Sequence, residues 1–188
     1  MPLNAQQRDV LARPINSSRV ATRSQSGKTL SYLEAYEVKA HLIRIFGYCG
    51  FSAELLDYHH VGTREYTSKD DKPMVEVIYA ARMRLTLYDA DGTTLATYIE
   101  GAAGSTSGPD YLLGEHHDNA LKTAESDALK RCAVYLGNQF GASLYDNGSK
   151  HDLIRGTVFD PPKDQISTEQ QAALAQSLGA TVTSEEAS

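Results

Sequence analysis

From Met74 to Tyr88 two sets of residues alternate: Val75, Val77, Tyr79, Ala81, Met83, Leu85 and Leu87 interleave with Glu76, Ile78, Ala80, Arg82, Arg84 and Thr86. A helix turning about 100° per residue would scatter the first set around its circumference, whereas a strand puts it on one face. The segment is therefore expected to be a long strand with one face buried and Arg82 and Arg84 on the other. Such a strand needs partners. Asp89-Ala90-Asp91-Gly92 has turn chemistry, so Thr94 to Glu100 should return antiparallel. Phe51 to Val61 reads as a third strand, with Asp57, Tyr58, His59 and His60 at its hydrated end.

Helical spacing takes over elsewhere. Across Glu115 to Leu136, Leu121, Ala124, Ala128, Leu129, Cys132, Tyr135 and Leu136 fall on one side, and Lys130 lies opposite among Thr123, Ser126 and Asp127. In Glu34 to Phe46, Val38, Leu42 and Ile45 share a face with Phe46, and Gly47 supplies the stop. Asn4 to Arg13 is a short helix with Asn4 as cap and Pro14 beyond its end. Residues 16–31 read as a loop leading into a strand or hairpin, and the Gly-, Ser-, Thr- and Pro-rich residues 101–114 as a flexible loop. The expected class is α+β: an antiparallel β-β-β-α core with flanking helices, the long helix covering one face of the sheet. Asp160-Pro161-Pro162 marks a boundary between a domain of residues 1–159 and a flexible acidic tail, 160–188, in which Ser167 to Leu178 could form a short capped helix.

Composition narrows the setting. A hydrophobic fraction of 41% suffices for a core, yet no apolar run approaches the roughly 18 residues of a membrane span. The opening residues Met1-Pro2-Leu3-Asn4 hold no apolar segment of a signal peptide. Cys49 and Cys132, without a C-x-x-C pattern, are expected to be small buried hydrophobes in a reducing cytoplasm. The net charge of -6 is unevenly spread. Residues 1–32 hold Arg8, Arg13, Arg19, Arg23 and Lys28 against Asp9 alone, while 151–188 hold Arg155 and Lys163 against six carboxylates. Local field rather than total charge attracts phosphates, and an acidic tail can compete for the same cations.

Several motifs fall short. Gly27-Lys28-Thr29 resembles the end of a P-loop, but Thr22 stands where its first glycine belongs, and no apolar strand precedes it. His59-His60 and His116-His117 carry no acidic or Cys ligand at metal spacing and read as solvated histidines. Asp89-x-Asp91-Gly92 lacks the other ligands of a calcium loop. No nucleophile and base share a recognisable signature, so neither enzyme chemistry nor a cofactor is expected. What remains is three cationic sets: Arg19, Arg23 and Lys28; Arg82 and Arg84; Lys122 and Lys130. If they line one groove, they would track a phosphate backbone without reading bases, with Tyr32 either stacking on a base or supporting the groove.

Read in order, other stretches resemble one family. Val20-Ala21-Thr22-Arg23 with Gly27-Lys28, Tyr32-Leu33-Glu34, Phe46-Gly47-Tyr48-Cys49-Gly50-Phe51, and Asp127-Ala128-Leu129-Lys130-Arg131 with Gly137-Asn138 resemble the annealing domain of the Rad-fifty-two proteins and their phage relatives. The likeness runs over roughly residues 4–150. It implies ATP-independent annealing of complementary single strands by a ring of subunits, with one strand held by its backbone in an outer groove. It places Arg23, Tyr32, Lys130 and Arg131 in that groove with Lys28 near it, and Lys72 at a second DNA site. The chain departs from the family pattern at Val134, where a third cation is usual, at Phe51 in place of Trp, and at Asn147 in place of a second-site Lys. The absence of a long partner-binding region suggests a phage or bacterial protein whose tail contacts a host single-strand-binding protein. Two other readings stay open: an oligomeric adaptor of this fold that has lost DNA binding, and an ATP-dependent recombinase or nuclease.

Overall fold

A computed structural model describes residues 3–25, 27–146, 148–154 and 156–157. Helix α1 (Ala5–Ala12) starts at Asn4, whose side chain accepts from the Gln7 backbone N–H while Gln7 accepts in return from Asn4. This reciprocal cap satisfies two N–H groups that a helix start leaves orphaned. A 3-10 turn (Ser17–Arg19) leads into a two-stranded antiparallel hairpin, β1 (Ala21–Gln25) and β2 (Lys28–Tyr32). Helix α2 (Ala35–Phe46) follows and ends at Gly47, whose φ of 78° favours glycine. The main sheet is an antiparallel meander of β3 (Phe51–Thr67), β4 (Pro73–Tyr88) and β5 (Thr94–Pro109), with β4 central. Helix α3 (Leu113–Val134) crosses it, packing mainly on β4 and β5. Leu153 closes the unit holding all these elements.

The alternation in β4 decides which face is dry. Val75, Val77, Ala81, Met83, Leu85 and Leu87 are all buried, and Arg82 is exposed. Phe46, Leu42 and Val38 of α2 join Leu85, Leu87, Leu129 and Phe140 in the main core. At about 25 cal/mol per Å² of apolar surface removed from water, such positions supply most of the force holding the helices to the sheet.

The structure corrects several expectations. Residues 101–109 are no loop: they continue β5 to Pro109. Their glycines suit close helix–sheet packing. A Cβ on Gly104 would overlap the Ala124 backbone nitrogen and lie 2.6 Å from the Ala120 carbonyl oxygen, and one on Gly108 would sit 2.5 Å from Cε1 of His116. The helix answers with its own small residues: Ala120, Ala124 and Ala128 are fully buried. Strand β3 runs past Val61 to Thr67 because register shifts between Leu55 and Asp57 and between His60 and Gly62 break its alternation without ending its pairing. His116 is not solvated: it is 6% exposed, with Nε2 3.0 Å from the Pro109 carbonyl oxygen. Tyr135 is 61% exposed, stacked on Tyr98 at 5.0 Å and donating to Glu100 at 2.7 Å. Cys132 is buried, but Cys49 is exposed. The expected boundary at residue 160, the tail helix and Asn147 lie outside the described residues.

Beyond α3, Gly137-Asn138-Gln139 forms a clasp. Asn138, fully buried, accepts from the Leu153 N–H at 3.1 Å, and the Gln139 amide donates to the carbonyls of Arg13 and Pro14 at 3.0 and 2.7 Å. The clasp therefore ties the N-terminal segment to the end of α3.

His41 gives this region a pH dependence. The residue is 7% exposed, and its ring lies 5.2 Å from that of Phe140. Burial first, and then the Arg19 and Arg44 charges, lower its pKa from 6.5 to about 4. The unfolded chain takes up this proton near pH 6.5 and the folded chain near 4, so the stability from a neutral His41 is complete above pH 6.5 and lost as pH falls between those values. At about 1.36 kcal/mol per pK unit, the loss by pH 5 is roughly 2 kcal/mol. Urea unfolding followed by circular dichroism is expected to show this drop between pH 7.5 and 5, flattened in His41→Leu. Equal slopes in the two proteins would exclude His41 as its source.

Candidate nucleic-acid interface

Two elements far apart in sequence form a cationic groove. One wall is the β1–β2 hairpin, whose turn at Gly27 (φ 75°) sets Lys28 at the head of β2. The other is the last third of α3, where Lys130 and Arg131 follow the buried Ala128 and Leu129. Arg23, Lys28, Lys130 and Arg131 line this groove with one carboxylate, Asp127, among the described residues. Asp127 pairs with Lys130 at 2.6 Å. Arg131 is exposed and donates from Nη1 to the Gly101 carbonyl at 3.0 Å, which aims the guanidinium without neutralising it.

Tyr32 organises these cations. The Arg23 guanidinium carbon lies 5.4 Å from its ring centroid, and the Lys130 Nζ 5.8 Å. Both distances suit cation–π attraction, worth about 0.5–1 kcal/mol each at exposed sites. Its hydroxyl donates to Glu34 at 2.8 Å, and this hydrogen bond is the main reason its pKa is raised. Of the two roles open to Tyr32, the geometry favours support.

The remaining sequence candidates stand elsewhere. Arg19 sits between the N-terminal segment and α2, its side chain 11% exposed, bonded to Glu37 at 2.7 Å and to Gln139 at 3.0 Å. Arg44 bonds the same Glu37 at 2.6 Å, and its hydrogen bond is the first cause of that carboxyl's lowered pKa. Burial lowers the pKa of Arg19. Arg82 and Arg84 bond across the strands to Asp57 and to Glu54, the latter at 2.9 Å. Lys122 pairs with Asp118 at 2.5 Å on the exposed side of α3. Lys72 is exposed in the β3–β4 turn, where its backbone exchanges hydrogen bonds with Ser68. Gly27-Lys28-Thr29 sits in a hairpin turn, with none of the strand–loop–helix geometry that wraps a nucleotide phosphate.

One aromatic of the groove has no counterpart among the sequence candidates. Tyr145 ends the 3-10 turn Ala142–Tyr145 and lines the groove as a residue 73% exposed. A single Tyr in a short turn carries no periodicity, so the sequence held no signal for it. Among the described residues, no group of three or more His, Cys, Asp or Glu could hold a metal, and no helix is long and apolar enough to cross a membrane.

The sequence profile for the Rad52/22 family double-strand break repair protein matches residues 4–154, which spans every helix and strand described above. No curated protein matches the chain.

Proposed function

The chain belongs to the Rad52/22 family of double-strand break repair proteins, and on that premise we propose that it binds single-stranded DNA in the cationic groove and anneals complementary strands without ATP or bond chemistry. The observation carrying this reading is the groove itself: among the described residues it holds four cations from the hairpin and α3, one carboxylate, and a tyrosine whose ring lies beside two of the cations. Arginine and lysine in an open channel bind backbone phosphates with little regard for sequence. A strand held by its backbone leaves its bases free to pair with a complement, which is what annealing requires. The hairpin setting of Gly27-Lys28-Thr29 weighs against an ATP-driven recombinase.

The assembly we propose is a closed ring of identical subunits. Strands β3 and β5, 17 and 16 residues long, are the two edges of the sheet. Their unpaired backbone groups are templates for another chain, and Tyr58, Val61 and Ile99 leave at least half their surface exposed on these edges. The acidic residues 160–188 are proposed to contact a host single-strand-binding protein.

The test is annealing of two complementary fluorescent oligonucleotides by the purified protein, without nucleotide, across a salt series. Annealing faster than the protein-free control, fading as salt rises, is expected. Four neutralised phosphates per subunit imply a log–log slope of about −3, an affinity loss on the order of 50-fold between about 50 and 200 mM salt. No binding and no acceleration at low salt would exclude the groove and favour an adaptor of this fold.

A further inference from the structure

We infer that Tyr145 is a nucleobase-stacking subsite of the groove, and this rests on the single-strand-binding reading above. A groove that takes nucleic acid offers its bases either cations, hydrogen-bonding edges or an aromatic face. Tyr32 cannot supply the face, because Arg23 and Lys130 already lie near its ring and Glu34 holds its hydroxyl. Tyr145 lines the same groove with 73% of its surface open, and its side chain makes no ring contact or hydrogen bond with the described residues.

The turn carrying it is anchored. Ala142 and Ser143 are buried, and the Gly148 N–H donates to the Leu144 carbonyl at 2.9 Å. Gly148 packs close to β2, since a Cβ there would lie 3.0 Å from Oγ of Ser31, the neighbour of Tyr32. The ring is thus presented from a fixed base, which keeps the ordering cost of binding low. Phosphates would bind the cations of the hairpin and α3 while a base from the same strand lies on Tyr145. The groove would then contact bases through a sequence-tolerant π-face, and binding would depend on bases being present without depending on which they are.

The chain contains no Trp, which supplies a clean probe. Tyr145→Trp places a single indole at the rim, and its fluorescence is expected to be quenched by a single-stranded oligonucleotide but not by an abasic oligonucleotide of equal length. Tyr145→Ala is expected to weaken binding of the normal oligonucleotide about fivefold or more, to leave abasic binding unchanged, and to keep the wild-type salt slope. Tyr145→Phe is expected to bind like the wild type. Equal losses on the two oligonucleotides, or no loss on either, would overturn the stacking role while leaving the groove intact. A wild-type protein that binds neither would sink the groove reading and this one together.

Discussion

Lys130→Ala with Arg131→Ala is expected to weaken binding of single-stranded oligonucleotide on the order of 100-fold at low salt while leaving the fold intact. Hydrogen bonds to charged groups contribute about 1.5–3 kcal/mol each, so deleting two phosphate-binding cations removes about 3 kcal/mol or more. The salt dependence should fall too, by about 0.7 in log–log slope for each phosphate that is no longer neutralised. The fold should survive because Arg131 is exposed and Lys130 faces the groove, while the helix is held by its other side, through Ala128, Leu129, Cys132 and Ala133. Lys122→Ala is the matched control: the same helix and the same type of charge removal, but a residue paired with Asp118 away from the groove. Fluorescence anisotropy against salt, with circular dichroism for folding, decides the matter. A folded double variant with wild-type affinity and slope would remove α3 from the interface.

The second large effect is on stability. Gly104→Ala is expected to cost about 3 kcal/mol or more, at the upper end of overpacking penalties, because the added methyl meets α3 backbone atoms at Ala124 and Ala120 that cannot rotate aside. For a chain of this size that is a drop of roughly 6–12 °C in Tm. Gly62→Ala is the contrast: its Cβ would meet nothing within 4 Å and its φ lies outside the positive range, so a change within about 0.5 kcal/mol is expected. Thermal unfolding of the two variants beside the wild type measures both. Equal melting temperatures would mean that α3 does not rest on β5 as described.

Glycine in a strand and cations on a helix mark where sequence patterns inform and where they stop. Period-two alternation located β4, and 3.6-residue spacing located α2 and α3, because each is a local consequence of one face meeting water and the other meeting protein. Locality also explains the corrections. Gly104 and Gly108 look like parts of a loop until Ala120, Ala124 and His116 of α3 are placed against them. His116 looks like a surface histidine until Pro109 and Gly108 enclose it. Strand β3 outruns its expected span because its bulges disturb the alternation that marks a strand.

The site divides the same way. By itself the sequence determined the chemical cast: a surplus of cations in the first 32 residues, Lys130-Arg131 near the end of a helix, and the ordered motifs that resemble a family of annealing proteins. Only the tertiary structure decided which cations meet. Arg23 and Lys130 are brought together at the ring of Tyr32, Arg19 is drawn into a shielded cluster with Glu37, and Arg82 and Arg84 are engaged by carboxylates on β3. The reason is physical. Residue type and spacing fix a charge and the face of its own element, but whether that charge is free depends on a partner from a distant segment, and Coulomb energy depends on the distance and burial that packing sets.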